Sequence, residues 1–270
     1  MATPKSKPSA ADKADKHELY EASVQDVETE VDFLVETYVG LRGREPVCFR
    51  EDFCGTASAA CEWVRRDSSK QAIGVDLDRP TLDWGIENRV SHLDAAQQFR
   101  VRLVHGDVLT VDERDADIIG AFNFSYCIFK TRDQLREYFQ NARRGLRPDG
   151  LFVLDAFGGS EALTEMKEKT KLDGFTYVWH QAKYHPVTAH TLCHIHFHFP
   201  DGSKMKKAFT YDWRLWTLPE IQELLLEAGF GSAEVYWEGT DDDGDGNGVY
   251  EPSDTGDADP AWIAYIVAQQ

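Results

Sequence analysis

The feature that most constrains this chain is a short apolar run, a glycine turn and an alanine-rich segment that follow one another between Val47 and Val64. The run at 47–49 predicts the buried end of a strand, and the spaced apolar side chains of residues 57–64 predict a helix. Between them, Gly55 lets the backbone approach a ligand closely, and the helix N-terminus directs free N–H groups at that ligand. This order is typical of the opening of a nucleotide-binding α/β domain.

The turn itself, with the sequence EDFCGTA, resembles motif I of the class I S-adenosylmethionine (SAM)-dependent methyltransferases, in which an acid is followed by Gly-x-Gly-x-Gly. Glu51 takes the place of the acid and Gly55 that of the central glycine, whereas Phe53 and Ala57 replace the outer two glycines. The resemblance implies that the turn binds SAM, and the replacement of the outer two glycines argues against a dinucleotide, whose pyrophosphate needs a closer backbone approach. A packed strand–turn–helix without a ligand is the alternative. The implied cofactor contacts in this turn are Glu51, Cys54, Gly55 and Thr56.

Acidic residues also follow the next two predicted strands. Asp76 ends the apolar run at 73–75 and lies 76 − 51 = 25 residues after Glu51, which is the length of one βαβ unit. A carboxylate there suits the hydroxyls of a ribose, because it accepts two hydrogen bonds. For the following strand, the resemblance implies that Asp107 accepts a hydrogen bond from the adenine amino group and that Val108 packs on the ring. The remaining predicted cofactor contacts are Leu77 and Asn123.

The same resemblance implies an α/β architecture, a Rossmann-like sheet of seven strands with an antiparallel β cap inserted after the fifth strand. Alternating apolar runs predict this cap over residues 158–216, and a charged stretch at 162–171 predicts a helix within it. An Asp201-Gly202 turn predicts a hairpin in the cap. The other predicted elements are strands 116–123, 151–154, 233–237 and 262–267 and helices 18–41, 135–146 and 218–228.

Three histidines of the cap, His194, His196 and His198, alternate with apolar residues and therefore share one face of a strand. One interpretation is a metal site, since imidazole is a common ligand. We favour a polar strand face over solvent or over the substrate cleft, and we predict no metal.

Two segments supply the candidate catalytic residues. The segment NFSY at 123–126 lies where the resembled family has motif IV, beside the methyl group. The segment YDWRLW at 211–216 resembles a stretch that precedes the last helix of many small-molecule methyltransferases. Arg214 is predicted to clamp a carboxylate, with a salt bridge to Asp212 or to the helix as the alternative. The predicted catalytic residues are Tyr126, Tyr211 and Arg214, and the general base is one of the two tyrosines or a cap histidine.

The composition of the chain limits the classes of partner that it is expected to bind. A net charge of −18 repels phosphate backbones and anionic lipid, which predicts no nucleic-acid or membrane partner. Five cysteines without CxxC spacing, and the lack of an apolar run of about 20 residues, predict a cytoplasmic protein. Residues 1–16 are rich in small and charged side chains and are predicted to be a disordered tail before a methyltransferase domain at 17–270.

An acidic segment at 239–260 contains an alternating triad, Asp241, Asp243 and Asp245, that resembles a calcium-binding EF-hand loop. The twelfth position is Pro252 and not the required glutamate, so we reject a true EF-hand. We predict a solvated, poorly ordered loop that binds calcium weakly or not at all and whose charge attracts a cationic substrate.

The sequence therefore predicts a SAM-dependent methyltransferase that acts on an amine or hydroxyl of a small molecule. Three alternatives stay open: a protein or nucleic-acid methyltransferase, a non-catalytic SAM-binding protein, and a calcium-responsive interaction module that depends only on the acidic segment. The acceptor and the oligomeric state are not predicted.

Overall fold

The computed structural model of the protein describes residues 7–241 and 246–270. Within these ranges the chain forms two compact units, a larger one of residues 26–162 and 216–270 and a smaller one of residues 7–25 and 163–215. No helix of the described ranges combines the length and the hydropathy that a bilayer crossing requires.

The elements alternate along the chain in the manner of an α/β protein. The helices are α1 (Ala10–Lys13), α2 (Lys16–Val24), α3 (Val27–Arg42), α4 (Ser58–Arg66), α5 (Arg79–Asn88), α6 (Ala95–Gln98), α7 (Arg132–Gly145) and α8 (Leu218–Glu227), with short 3-10 turns at Val90–His92, Ser125–Ile128 and Ser160–Leu163. The strands are β1 (Cys48–Asp52), β2 (Gln71–Asp76), β3 (Val101–His105), β4 (Ala116–Ala121), β5 (Leu146–Gly158), β6 (Met166–Leu172), β7 (Phe175–His185), β8 (His190–His198), β9 (Lys204–Arg214), β10 (Ser232–Thr240), β11 (Gly246–Pro252) and β12 (Trp262–Gln269).

An eight-stranded sheet forms the centre of the larger unit, in the order β11-β10-β12-β5-β4-β1-β2-β3. Strands β1 to β5 pair in parallel, and β12, β10 and β11 add antiparallel to the edge formed by β5. In a sheet of this kind ligands bind beyond the carboxyl ends of the parallel strands. Within the sheet the parallel strands lie in the order β3-β2-β1-β4-β5, so the direction of the strand order reverses between β1 and β4.

The predicted strand–turn–helix at 47–64 is present as β1, its turn and α4. Trp63 on α4 is fully buried, its ring lies 5.1 Å from that of Phe49 on β1, and its Nε1–H donates to the carbonyl of Val47 at 3.1 Å. Burying two large aromatic side chains contributes about 2–3 kcal/mol each, which holds the helix on the strand. The turn between them is thereby fixed at both ends.

The strand count corrects the sequence analysis, since the sheet has eight strands and not seven. The additional strand, β11, lies inside the segment at 239–260 that we expected to be a loop. Tyr250 of β11 packs edge-on to Tyr265 at 4.7 Å, and the amide of Gly248 donates to Glu238 Oε1 at 2.9 Å. These contacts order residues 246–252 despite the charge of the segment. Of the alternating triad, Asp243 and Asp245 lie outside the described residues.

The smaller unit contains a four-stranded antiparallel sheet in the order β6-β7-β8-β9. The hairpin predicted around Asp201-Gly202 joins β8 and β9. The helix expected at 162–171 is wrong, because most of this stretch forms β6 along the edge of β7. Half of its residues are charged and they follow no helical period, so pairing with β7 determines its conformation.

The N-terminal region corrects two further expectations. The disorder predicted for residues 1–16 is wrong for 10–13, which form α1 in the smaller unit. There the amides of Ala10 and Ala11 donate to Asp201 Oδ2 at 2.8 Å and to Ser203 Oγ at 3.0 Å. The single helix predicted at 18–41 is two helices, because Asp26 caps the start of α3.

Candidate functional site

The turn after β1 has an unusual backbone. Phe53, Gly55 and Ala57 have φ values of 59°, 52° and 61°, all in the left-handed region. These are the three positions at which the resembled motif has glycines. Since the left-handed region favours glycine, the conformation supports the alignment even though two of the three residues carry side chains.

Gly55 and Asp76 form the centre of the site. The amide of Gly55 donates to Asp76 Oδ2 at 2.8 Å, and the amide of Asp78 donates to Asp76 Oδ1 at 2.8 Å. A Cβ added at Gly55 would meet only Thr81 Cγ2 at 4.0 Å, so the space above this glycine is open. Burial raises the pKa of Asp76 and the two amides act in the opposite direction. The carboxylate is thus held in place with lone pairs left for a ligand.

Three other predicted contacts have different surroundings. Cys54 is buried and its Sγ lies against Gly74, where an added Cβ would be only 2.8 Å away. Its thiol therefore packs against the sheet, so the side chain of Cys54 is not a cofactor contact and only its backbone is left for that role. Thr56 is buried with its hydroxyl 3.2 Å from that of Ser58. Leu77 is 68% exposed at the end of β2.

Asp107 and Val108 form the loop after β3. Asp107 Oδ1 accepts from the amide of Leu109 at 2.9 Å, which fixes the turn. Val108 is 4% exposed, and its carbonyl accepts from Asn141 Nδ2 at 2.7 Å. The two residues thus lie at the same edge of the sheet as Asp76, as the resemblance implied.

The loop after β4 depends on a carboxylate that the sequence analysis missed. Asn123 and Phe124 both have a φ of 56°, and their amides donate to Asp155 Oδ2 at 2.7 Å and Oδ1 at 2.9 Å. Asp155 is buried at the end of the parallel part of β5, and burial raises its pKa to about 7. An acid that directly follows the apolar run LFVL was the available signal.

Tyr126 occupies the 3-10 turn after this loop and is 1% exposed. Burial raises the pKa of its hydroxyl well above the ordinary value. A general base must lose its proton readily near the working pH, so this environment disfavours Tyr126 in that role. The correction is that Tyr126 belongs to the core of the larger unit.

Glu51 is 5% exposed, and its Oε2 is buried without a hydrogen-bond partner among the described residues. Burial raises the pKa of Glu51, and the charges of Glu30, Asp76 and Asp52 raise it further, while the amide of Ala60 lowers it. Glu30, on α3, has a pKa raised to about 8 by burial and by Asp155 and Asp26. Glu30 is not among the site residues predicted from the sequence, although its place beside the apolar residues of α3 was an available signal.

The neighbouring acid of β1 has opposite surroundings. Asp52 Oδ1 accepts from Arg50 Nε at 2.7 Å, and its Oδ2 accepts from Arg50 Nη2 at 3.1 Å and from the hydroxyl of Tyr138 at 3.0 Å. Both charged side chains are fully buried. This bidentate pair is a structural element of the core and leaves no oxygen of Asp52 without a donor.

The two predicted catalytic residues of β9 lie in the smaller unit. The ring of Tyr211 stacks on that of Trp213 at 4.4 Å and lies 6.1 Å from that of Trp179. Burial raises the pKa of Tyr211, and a hydrogen bond with Tyr20 acts in the opposite direction. Arg214 ends the strand opposite His190 and is half-buried. Tyr211 therefore offers an aromatic surface with a protonated hydroxyl.

The cap histidines form a cluster on the other face of this sheet. His180 Nδ1 lies 3.2 Å from His196 Nε2, and His194 Nδ1 lies 3.0 Å from the Thr210 hydroxyl. Burial, and after it neighbouring histidines and lysines, lowers the pKa of His196 to about 4. Over residues 7–241 and 246–270, no group of three or more potential ligands is arranged to hold a metal ion.

A comparison with protein families matches residues 52–154 to a family described as a methyltransferase domain. This range begins at the end of β1 and covers the turn, Asp76, Asp107, Asn123 and most of β5. No curated protein matches the chain in sequence.

Solved structures share the fold over nearly the whole chain. A SAM-dependent methyltransferase from Clostridium acetobutylicum ATCC 824 has a TM-score of 0.70 at 17% identity, covering 94% of this chain and 96% of its own. The amino pentose methyltransferase CalS10 from Micromonospora echinaspora has a TM-score of 0.65 at 14% identity, with 94% and 96% covered. The sugar N-methyltransferase KedS8 from Streptoalloteichus sp ATCC 53650 has a TM-score of 0.64 at 15% identity, with 95% and 94% covered.

The matched domain and the shared fold confirm the predicted family, fold class and enzyme class. The positions of Gly55, Asp76 and Asp107 at one edge of the parallel strands agree with them. Residues 52–154 match a methyltransferase domain, and the chain as a whole has the fold of SAM-dependent methyltransferases.

Proposed function

We propose that this protein transfers the methyl group of SAM to an amine or hydroxyl of a small-molecule acceptor. The observation that carries the cofactor half of the proposal is the open space above Gly55 beside the fixed carboxylate of Asp76. The acceptor half is supported by fold similarity to an amino pentose and a sugar N-methyltransferase, which extends over 94–95% of this chain and so includes the smaller unit.

The residues present fit SAM, because Glu51 has an unpartnered buried oxygen and Gly55 has room for a ligand. When bound, SAM supplies an electrophilic methyl group on a sulfonium. We assign Asp76 to the ribose hydroxyls and Asp107 to the adenine amino group. The secondary contacts in this proposal are the backbone of Cys54, Thr56, Leu77, Val108 and Asn123.

The acceptor contacts in the proposal are Tyr211 and Arg214. Tyr211, stacked on Trp213, offers aromatic surface to an apolar or cationic acceptor, and Arg214 offers a fork to a carboxylate. An acceptor amine attacks with its lone pair, so it must be neutral at that moment. Activity is therefore expected to rise with pH through the pKa of the acceptor amine in the site.

The test combines cofactor binding with methyl transfer. Calorimetry measures SAM binding to the wild type, and labelled SAM is then incubated with a metabolite extract, with protein and RNA fractions alongside. We expect label in the metabolite fraction. Label only in protein or RNA would favour those substrates, and label nowhere despite tight SAM binding would favour a non-catalytic protein.

Variants in the smaller unit test the acceptor half of the proposal separately from the cofactor half. Tyr211→Phe and Arg214→Ala are expected to lower turnover while SAM affinity stays within about twofold, since neither belongs to the cofactor motif. Arg114→Ala serves as the matched control, because Arg114 pairs only with Asp112 among its described partners and both are largely exposed. A loss of SAM binding in Tyr211→Phe would contradict this division of roles.

A further inference from the structure

Three carboxylates lie on elements of the larger unit that meet at the carboxyl edge of its sheet. Glu51 is on β1, Asp155 ends the parallel part of β5, and β4 lies between these strands. Their registers align Glu51 with Gly120 and the next residue, Ala121, with Leu154. Glu51 is therefore level with Val153 of β5, and Asp155 lies two residues beyond that level on the same face of the sheet, which corresponds to about 12 Å between the backbones of Glu51 and Asp155.

Glu30 reaches this edge from α3. The side of α3 adjacent to Glu30 packs in the core, where Val31 and Leu34 are each 1% exposed. Phe33, three residues along, stacks on Tyr265 of β12 at 4.3 Å, and Tyr265 pairs in register with Asp155. Electrostatic influence of Glu30 on Glu51, and of Asp155 on Glu30, agrees with this placement.

Among the residues that the structure describes, the strongest charges acting on this cluster do not include a cation that is free to compensate it. The charged groups that act most strongly on Glu30 and Glu51 are other carboxylates, and the buried arginine nearby, Arg50, is engaged by Asp52. The titratable groups that act electrostatically on the three carboxylates, or are acted on by them, are Asp26, Cys54, Asp76, Tyr126, Tyr250 and Tyr265, together with Asp52 on the opposite face of β1. Every one of them is neutral or negative, so gathering three carboxylates here is unfavourable without a ligand.

The unpartnered oxygen of Glu51 is a second, independent observation. Buried carboxylate oxygens in proteins normally accept a hydrogen bond, and an exception needs a physical reason. Oε2 of Glu51 has none among the described residues although the side chain is 95% buried, being 5% exposed. A ligand that donates a hydrogen bond or carries a positive charge satisfies this atom.

We infer that Glu30, Glu51 and Asp155 form a cation-recognition site, and that Glu30 makes the protein bind SAM more tightly than its demethylated product, S-adenosylhomocysteine. The inference rests on the proposed function, because it assigns the cluster to the cofactor site. SAM carries a sulfonium and an ammonium, whereas the product carries only the ammonium. The two ligands otherwise share the adenosine and the amino acid, so they isolate the contribution of one positive charge.

The experiment measures the Kd of both ligands by calorimetry at pH 8 for wild type and Glu30→Gln. We expect the wild type to bind SAM about tenfold more tightly than the product, a modest value for one opposite charge at several ångströms in partly screened surroundings. In Glu30→Gln the ratio of the two Kd values is expected to fall below about threefold, mainly through weaker SAM binding.

Glu28→Gln is the matched control, since Glu28 is an exposed acid in the first turn of the same helix. It removes the same charge from α3 and is expected to keep the wild-type ratio. Thermal unfolding at pH 8 separates a folding defect from a binding defect. Glu30→Gln is expected to unfold at the same or a higher temperature, because it relieves like-charge repulsion.

Proton release gives a second measurement. Near pH 7 the cluster holds protons that a bound cation displaces, so titrations in two buffers of different ionisation enthalpy should show net proton release with SAM. Release is expected to decrease in Glu30→Gln. Equal Kd values for the two ligands in the wild type, or an unchanged ratio in Glu30→Gln, overturns the inference and leaves the proposed function standing. Failure of the wild type to bind either ligand overturns both.

Discussion

The two faces of one strand bury acids in opposite ways. Along β1, Arg50 and Asp52 point to one face and Glu51 to the other, because side chains alternate along a strand. Asp52 accepts three hydrogen bonds from Arg50 and Tyr138, whereas Glu51 Oε2 has no donor among the described residues. The charge on the first face is neutralised by the protein itself, and the charge on the second is left for a ligand.

This difference distinguishes structural from functional burial. A buried ion pair has its cost of desolvation offset inside the fold, so removing one partner harms stability. A buried acid without a neutralising partner destabilises the ligand-free protein. Removing it is therefore expected to raise the free energy of unfolding and to weaken ligand binding. The smaller unit shows the same effect with reversed sign, since burial, and after it neighbouring lysines and histidines, lowers the pKa of its clustered histidines.

The largest expected effect comes from removing the cation that neutralises Asp52. Arg50→Met leaves Asp52 buried without its cation and is expected to lower the free energy of unfolding by about 3–5 kcal/mol. Denaturant unfolding at pH 7 measures it. Adding Asp52→Asn to the same variant is expected to recover much of the loss, because no charge is then left uncompensated. A single variant as stable as wild type would show that the pair is dispensable.

Asp76 lies between the two cases, with a raised pKa but two backbone donors. Asp76→Ala removes the acceptor for the amide of Gly55 and the proposed ribose contact, so SAM binding is expected to weaken by about 1–3 kcal/mol. Calorimetry provides the measurement, with Asp83→Ala on the exposed side of α5 as the control. Unchanged affinity would remove Asp76 from the cofactor site.

Glu51→Gln sharpens the contrast, because its two effects have opposite signs. Removing an unneutralised buried carboxylate is expected to raise the free energy of unfolding of the apo protein by about 1 kcal/mol at pH 8. The same change is expected to weaken SAM binding. Paired unfolding and binding measurements test it; a variant that loses stability would indicate that Glu51 has a structural partner after all.

The smallest effect is the dependence of stability on pH. Glu30 and Asp155 have pKa values raised to about 8 and about 7, so the folded protein binds more protons than the unfolded chain between their ordinary and raised values. Their contribution is fully present below about pH 4 and is lost as the pH rises through 7 and 8. The difference in free energy of unfolding between wild type and Glu30→Gln, measured in urea at pH 7 and at pH 8, isolates Glu30, and wild type is expected to lose about 1 kcal/mol relative to the variant over this step. A difference that does not change with pH would contradict the raised pKa.

Much of the larger unit follows from local pattern in the sequence. Apolar runs closed by an acid located β1 and β2, and the order of Glu51, Gly55, Asp76 and Asp107 located the edge at which ligands bind. This works because parallel buried strands are continuous apolar runs whose carboxyl ends meet. The fold and family predictions depended on these few positions.

The rest depends on contacts that a local pattern does not contain. Glu30 and Asp155 look like ordinary acids in the sequence, and only the pairing of β5 with β12 and the packing of α3 bring them near Glu51. The strand β6 was missed because its partner β7 decides its conformation. Tyr126 was placed correctly after β4, but its burial depends on the surrounding core.

The left-handed residues of the β1 turn have one more consequence. Phe53 and Ala57 hold φ values near 60° that a glycine adopts freely and that a residue with a Cβ adopts only under constraint. A glycine-rich turn samples many shapes and must give up that freedom when it closes on a ligand. This turn is held by the packing of Phe53 against Tyr138 at 5.5 Å and by the complete burial of Ala57. Its shape is therefore set when the chain folds, and ligand association has little loop entropy left to overcome.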